Sequence, residues 1–130
     1  MEDLAFSGDL SGRMNVVAPN QPGQESECSG KNSRTGSSWA STFYGLLGNQ
    51  KYGVIFFAAQ YRGPGSYSEA MASVQVFNPD HSKVWQSLGS DPVTFAVNAE
   101  EESGQIDATL TNVANAKTKL KVKGNWSCRT

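Results

Sequence analysis

Residues 104–128 read GQIDATLTNVANAKTKLKVKGNWSC, and this stretch decides the fold because apolar and polar residues alternate on both sides of a turn at Asn115. The pairs in an antiparallel register about that turn are Leu110–Leu120, Ala108–Val122 and Ile106–Gly124 on one face, and Asp107–Lys123 and Thr109–Lys121 on the other. One face is therefore apolar, and the other is polar and pairs the opposite charges of Asp107 and Lys123. Because a slip of one residue would exchange the two faces, the agreement predicts a β-hairpin in this register.

The closing residues of the chain continue the apolar face of this hairpin. Trp126 and Cys128 follow Leu120 and Val122 at intervals of two residues, which places all four side chains on the same side of a strand. We therefore expect Cys128 to face the core or its rim.

The rest of the chain shows the same alternation and no helical periodicity. The predicted strands cover residues 4–18, 39–47, 52–61, 67–77, 83–88 and 93–98. Residues 4–18 keep one phase throughout, so we expect a single long strand bent at its glycines in preference to a hairpin at Gly8 and Asp9. Residues 52–61 are apolar on both faces, which is typical of a central strand covered on both sides.

These segments predict an all-β fold in one domain over residues 1–130, with a long polar loop at 19–38. About eight short strands without helices favour an antiparallel β-sandwich. A small closed β-barrel is the alternative, and a barrel could hide a ligand inside it.

Composition excludes several functional classes. The 130 residues carry 11 Lys and Arg against 12 Asp and Glu, whereas a nucleic-acid-binding domain is normally basic. The longest apolar run, 54–59, is far shorter than the ~20 residues that span a bilayer. A single histidine leaves few options for acid–base chemistry, and no pattern indicates a cofactor.

The two cysteines indicate a compartment. Neither Cys28 nor Cys128 belongs to a C-x-x-C pair, so thioredoxin chemistry and zinc-ribbon spacing are unsupported. They are either unrelated thiols or one disulfide, and we predict the disulfide, which would close a loop of roughly 100 residues and contribute about 4–5 kcal/mol. A disulfide favours an oxidising compartment. The acidic residues at 2–3 do not resemble an export signal, which indicates either a cytosolic protein or a mature domain whose signal has been removed. Because we predict the disulfide, we expect the mature domain.

Four stretches carry a family resemblance: LAFSGDLSG at 4–12, FAAQYRGPGSY at 57–67, DATL at 107–110 and VKGNWSCR at 122–129. Together they resemble small exported β-sandwich domains of bacteria, many of which are carried on hypothetical lipoproteins behind a lipobox signal. The resemblance implies this fold and export, and it offers no catalytic residues. Nothing before Cys28 resembles a lipobox.

The candidate catalytic and metal groups are few. His81 stands between Asp80 and Ser82, but adjacent residues on a turn point apart and cannot form a catalytic relay. We therefore predict no catalytic residue and rank a hydrolase with an unrecognised site third. Glu100–Glu102 with Asp107 could offer oxygens to Ca²⁺, but no calcium-loop pattern is present, so we expect a solvated turn and no metal.

Lysines at alternate positions form the most regular charge pattern. Lys117, Lys119, Lys121 and Lys123 would project from one side of a strand at intervals of about 6.6 Å. Such a ridge could bind phosphate, an anionic glycan or lipid headgroups. The alternative, which we favour, is an outer face kept soluble and protected from edge-to-edge pairing.

Aromatic residues beside the turn at 62–66 suggest a ligand site. The rings of Tyr61 and Tyr67, with Arg62, Gln60 and Asn78 as polar neighbours, could stack on a sugar. The sequence thus favours a non-catalytic interaction domain for an unknown protein or glycan, with a carbohydrate-binding module as the alternative. We expect it to be secreted, periplasmic or on the cell surface, a monomer or weak oligomer, attached to a membrane only through an upstream lipid anchor.

Overall fold

The computed structural model describes residues 2–28 and 38–128, and the regular elements within these ranges are all β-strands. They are β1 (Glu2–Gly8), β2 (Gly12–Val17), β3 (Trp39–Leu47), β4 (Gln50–Ala58), β5 (Gly65–Ser68), β6 (Ala72–Phe77), β7 (Val84–Gln86), β8 (Val93–Val97), β9 (Ser103–Asn112) and β10 (Asn115–Ser127). Every pairing between them is antiparallel. The predicted all-β antiparallel fold is confirmed, with ten strands in place of about eight. No helix in the described ranges is long and apolar enough to cross a membrane.

The strands form one sheet that closes on itself. The hydrogen-bonded order is β10-β1-β2-β3-β4-β6-β7-β9, and β9 pairs back with β10. One part of β9 pairs with β7 through Thr111 and Asn112, while residues 104–108 of β9 pair with β8, whose other edge carries β5. The closed ring corresponds to the barrel alternative within the predicted fold class.

Four tight connections lie at the same end of the ring, which we call the mouth. Residues 9–11, 48–49, 78–83 and 113–114 join β1 to β2, β3 to β4, β6 to β7 and β9 to β10. Because each of these pairs is antiparallel and adjacent, its connection must lie at one end. The opposite end carries the two cysteines, and we call it the disulfide end.

The predicted hairpin at the end of the chain is confirmed pair by pair. Leu110 lies opposite Leu120 and Asp107 lies opposite Lys123 across β9 and β10. The inward side chains of these and other strands fill the interior of the ring. Among the described residues, its largest buried aromatic cluster consists of Trp39, Phe43, Phe56, Tyr61, Tyr67, Phe95 and Trp126.

The predicted long strand at 4–18 is wrong. The chain turns over residues 9–11, and β1 pairs with β2 so that Leu4 faces Met14 and Phe6 faces Gly12. Gly8 and Gly12 both have positive φ, 95° and 131°, a backbone conformation that suits glycine at the two sides of a turn.

The predicted strand at 67–77 is also interrupted. The backbone N–H of Met71 bonds to the carbonyl of Ser68 at 2.9 Å, which makes a turn between β5 and β6 and leaves Ala70 exposed. The Glu69 carboxylate reaches across to accept the N–H of Val93 at 3.0 Å. The alternation predicted that Glu69 lies on the face of a strand, whereas its side chain links the β5–β6 turn to β8.

The strand over 50–58 is covered unevenly on its outer side. The ring of Phe77 lies so close to Gly53 that a Cβ there would overlap it, and Tyr44 packs on Phe77 with the ring centroids 5.8 Å apart. Phe57, by contrast, remains 40% exposed. The expectation that both faces of this strand are covered is therefore wrong at Phe57.

The described part of the predicted 19–38 loop runs beside β3 beyond the end of β2. Ala18 donates its N–H to the carbonyl of Tyr44 at 3.0 Å, and Glu27 and Thr42 exchange backbone hydrogen bonds at 2.8 and 2.7 Å. This segment extends the wall along β3 beyond the end of β2. Residues 29–37 of the loop lie outside the described residues.

Candidate functional site

The cysteines predicted to pair do so. Cys28 follows the segment beside β3, Cys128 follows β10, and their Cα atoms are 5.4 Å apart in a disulfide. Both side chains are half-buried and pack against the core, and the Ser41 hydroxyl donates to the Cys28 sulfur at 3.3 Å. The bond therefore joins the segment beside β3 to the end of β10.

The predicted ligand residues Tyr61, Arg62 and Tyr67 meet at one turn. The Tyr67 hydroxyl accepts the backbone N–H of Arg62 at 2.8 Å and donates to the carbonyl of Gly63 at 2.6 Å. The Tyr61 and Tyr67 rings are packed 5.6 Å apart and are only 4% and 7% exposed. Arg62 remains exposed, beside a pocket of about 330 Å³ that the turn 61–64 lines. The two rings thus support the turn and present no open face to a sugar.

The predicted solvated acidic turn is wrong at Glu101. Its side chain is buried, and the Tyr61 hydroxyl donates to its Oε2 at 2.6 Å. Glu101 has a φ of 59°, a conformation that costs a non-glycine residue energy and is retained where surrounding contacts hold it. Among residues 2–28 and 38–128, no group of three or more His, Cys, Asp or Glu is placed to hold a metal ion.

The lysine ridge is partly neutralised by its own neighbours. Lys119 Nζ donates to Asp91 Oδ1 at 2.8 Å and to Thr111 Oγ1 at 2.7 Å, and Lys123 Nζ lies 4.0 Å from Asp107 Oδ2. Lys121 is exposed on the same face of β10, while Lys117 lies within the register shift between residues 115 and 119. The anion-binding role of the ridge stays a prediction.

Asp91 is the buried member of that network. Burial works to raise the pKa of its carboxyl, but hydrogen bonds from Lys119, Thr111 and the backbone N–H of Leu88 outweigh it and lower the pKa below its ordinary value. Asp91 therefore carries its charge at neutral pH as a structural link between the β7–β8 connection and β9.

Glu2 differs from Asp91 in that its pKa is raised above the ordinary value. Its side chain is 2% exposed, and neither carboxyl oxygen has a hydrogen-bond partner within the described ranges. The Glu2 carboxyl lies beside Gly45 and the Met14 side chain: a Cβ added to Gly45 would touch Met14 and would lie 3.1 Å from Glu2 Oε1. The carboxyl therefore occupies apolar surroundings. Burial raises the pKa of Glu2 to about 7.

A polar cluster that sequence reasoning missed lies at the mouth. Asp9, in the β1–β2 turn, accepts two hydrogen bonds on Oδ2, one from Trp85 Nε1 at 2.7 Å and one from Asn112 Nδ2 at 3.1 Å. The Asn112 Oδ1 accepts the N–H of Ala114 at 2.9 Å, which fixes the amide in turn. Asp9 and Asn112 are 103 residues apart, so no local pattern links them.

The neighbouring turn, 78–83, is held by its own side chains. Asn78 accepts the N–H of Lys83 at 2.9 Å and donates to the Ser82 hydroxyl at 2.8 Å, while Asp80 accepts the N–H of Ser82 at 3.0 Å. His81 has a φ of 58°, and its ring stacks on Phe77 with centroids 4.4 Å apart. The predicted exposed turn histidine is confirmed, and its orientation is fixed.

These turns enclose a pocket of about 290 Å³, which we call the mouth pocket. Its polar lining includes Asp9, His81, Lys83 and Asn112, and its apolar lining includes Leu10 and Val113. A second pocket of about 380 Å³ shares Lys83 with it and is lined also by Gln50, Lys51, Asn78 and Asp80. The arrangement offers fixed donors, acceptors and apolar surface to a small ligand.

No protein-family model, curated protein or solved structure matches this chain.

Proposed function

We propose that this chain is a non-catalytic, extracytoplasmic binding domain that captures its ligand at the mouth pocket. The observation that carries the proposal is the fixed position of Asp9, whose Oδ2 is held by Trp85 and Asn112 at the edge of the pocket. Polar groups that are oriented before a ligand arrives lose little entropy when it binds.

A binding role suits the mouth better than a catalytic one. The His81 ring packs on Phe77, and Asp80 accepts the N–H of Ser82. Within the described part of the chain, no hydrogen bond joins the His81 imidazole to a serine or a carboxylate, which a nucleophile–base pair would need.

Location outside the cytoplasm is supported by the disulfide, since such bonds persist in oxidising compartments. The resemblance of the sequence to exported domains of bacterial lipoproteins points the same way. In protein recovered from its native source, we expect an intact mass that rises on alkylation only after reduction. Two thiols that react without reductant would contradict the proposed location.

The binding role is tested by nuclear magnetic resonance with ¹⁵N-labelled protein and a library of small polar probes that includes sugars, amines, carboxylates and phosphate. We expect at least one class to shift the amide signals of residues 9–11, 81–85 and 112–114. The Asp9→Asn variant should lose these shifts, whereas the Asp107→Asn variant, an exposed carboxylate on β9, should keep them. Shifts confined to other surfaces would contradict the proposal.

A further inference from the structure

We infer that the mouth pocket binds a neutral saccharide, a conclusion that rests on the proposed function and names its ligand class. The observation is the juxtaposition of an oriented carboxylate, a free ammonium group and a supported flat ring around one small pocket. These groups belong to Asp9, Lys83 and His81 respectively.

The mixture of charges favours a neutral ligand rich in hydroxyl groups. Asp9 Oδ2 is already occupied by two donors, and Oδ1 has no hydrogen-bond partner among the residues that the structure describes. Lys83 Nζ likewise has no partner there, so the pocket offers an acceptor and a donor together. A hydroxyl group both donates and accepts, so neighbouring hydroxyls of a sugar ring satisfy both groups. A purely cationic or anionic ligand would meet one like charge.

The pocket also provides surface for the carbon side of a sugar ring. The exposed imidazole of His81 is backed by Phe77, with an angle of 11° between the ring planes, so it forms a rigid flat surface. Val113 is 54% exposed, and Leu10 lines the same pocket. Ligand sites commonly combine apolar surface with a few placed polar groups in this way.

The adjoining pocket extends the inference beyond one ring. Lys83 lines both pockets, and the rigid 78–83 turn lies between them. The volume of about 290 Å³ is at the small end of ligand sites and suits one sugar ring. A second ring would reach the pocket of about 380 Å³ that contains Gln50 and Asn78.

The test is a titration of ¹⁵N-labelled protein, followed by nuclear magnetic resonance, with the methyl glycosides of glucose, galactose, mannose and N-acetylglucosamine and with cellobiose and chitobiose. We expect at least one glycoside to shift the signals of the mouth pocket, and a two-ring probe to bind several times more tightly. Asp9→Asn should weaken binding about tenfold to a hundredfold, the usual effect of losing a hydrogen bond to a charged group. Lys83→Met should weaken it as well.

Matched variants keep the result interpretable. Asp107→Asn and Lys121→Met remove an exposed carboxylate and an exposed ammonium group from the face of β9 and β10, and both should bind like the original chain. Dispersed amide signals in every variant establish that each has folded. Methylammonium and inorganic phosphate serve as charged probes.

Three results would overturn the inference. If only a charged probe shifts the mouth pocket, the saccharide assignment is wrong and the proposed binding site stands. If saccharides shift the turn at Tyr61 and Arg62 instead, the sugar site lies at the disulfide end. If no probe of any class shifts the mouth pocket, both the inference and the proposed site fail.

Discussion

Glu2 places a carboxyl group in apolar surroundings without a hydrogen-bond partner among the described residues. A buried carboxylate in that position is costly, and the rise of its pKa to about 7 shows that the protonated form is the favoured one in the folded chain at mildly acidic pH. Glu2 therefore lowers the free energy of unfolding as pH rises, whereas most carboxylates in folded proteins raise it.

The free energy of unfolding should fall as pH rises from 4.5, the ordinary pKa of glutamate, to about 7. In that range the unfolded chain releases the Glu2 proton while the folded chain keeps it, which costs about 3 kcal/mol in total at ~1.4 kcal/mol per unit of pKa. Glu2→Gln should remove this slope. Urea unfolding of both proteins between about pH 4 and pH 8 measures it, and parallel curves would show that Glu2 is not the titrating group.

The Tyr67 hydroxyl offers a second test on a single atom. Tyr67→Phe removes the acceptor of the Arg62 N–H and the donor to Gly63, so we expect a loss of about 1–3 kcal/mol in unfolding free energy. Tyr44→Phe is the matched control, because its hydroxyl has no hydrogen bond within the described ranges. Equal losses from the two variants would contradict the role of the Tyr67 hydroxyl.

At the scale of elements, the two terminal hairpins explain what the sequence could predict. Across β9 and β10 both faces carry matching residues, so the alternation and the Asp107–Lys123 charge pair agreed on one register. Across β1 and β2, Leu4 pairs with Met14 and Phe6 with Gly12, and these partners are an even number of residues apart. The alternation therefore stays in phase through the turn, and a hairpin and a long strand give the same pattern.

The mouth pocket was beyond prediction for a related reason. The hydrogen bonds of Asp9 to Trp85 and Asn112 depend on the closure of the ring, which brings the first turn beside the last one. Alternation assigns side chains to faces but does not assign neighbours to strands that are distant along the chain. The Cys28–Cys128 bond could be predicted because a chain with two cysteines allows one intramolecular pairing.

The Asp91–Lys119 ion pair links the β7–β8 connection to β10, and we expect the loss of Asp91 to destabilise the fold more than the loss of Lys119. Asp91 is buried and accepts three hydrogen bonds, whereas the Lys119 side chain is 49% exposed. Asp91→Ala should therefore cost about 2–3 kcal/mol because Thr111 and the Leu88 N–H lose their acceptor. Lys119→Met should cost no more than about 1 kcal/mol. Chemical denaturation of both variants measures the difference, and a reversed order would contradict this account.

At the scale of the whole molecule, the disulfide joins the segment beside β3 to the end of β10. It joins residues 100 apart, so the pair Cys28→Ser and Cys128→Ser should lower the free energy of unfolding by about 4–5 kcal/mol. The chemically reduced original protein is the matched control and should unfold at the same denaturant concentration as the double variant. A loss below about 1 kcal/mol would show that the bond adds little to the closed ring.

The pairing of β1 with β10 has a consequence for the order of folding. Strands β1 and β10 are neighbours in the ring, so the ring cannot close until β10 has been synthesised. Until then β1 and β9 each keep an unpaired edge, which is the feature through which strands of different chains associate. A chain shortened before β10 should therefore accumulate as aggregates, because β1 and β9 would both lack the strand that pairs with them.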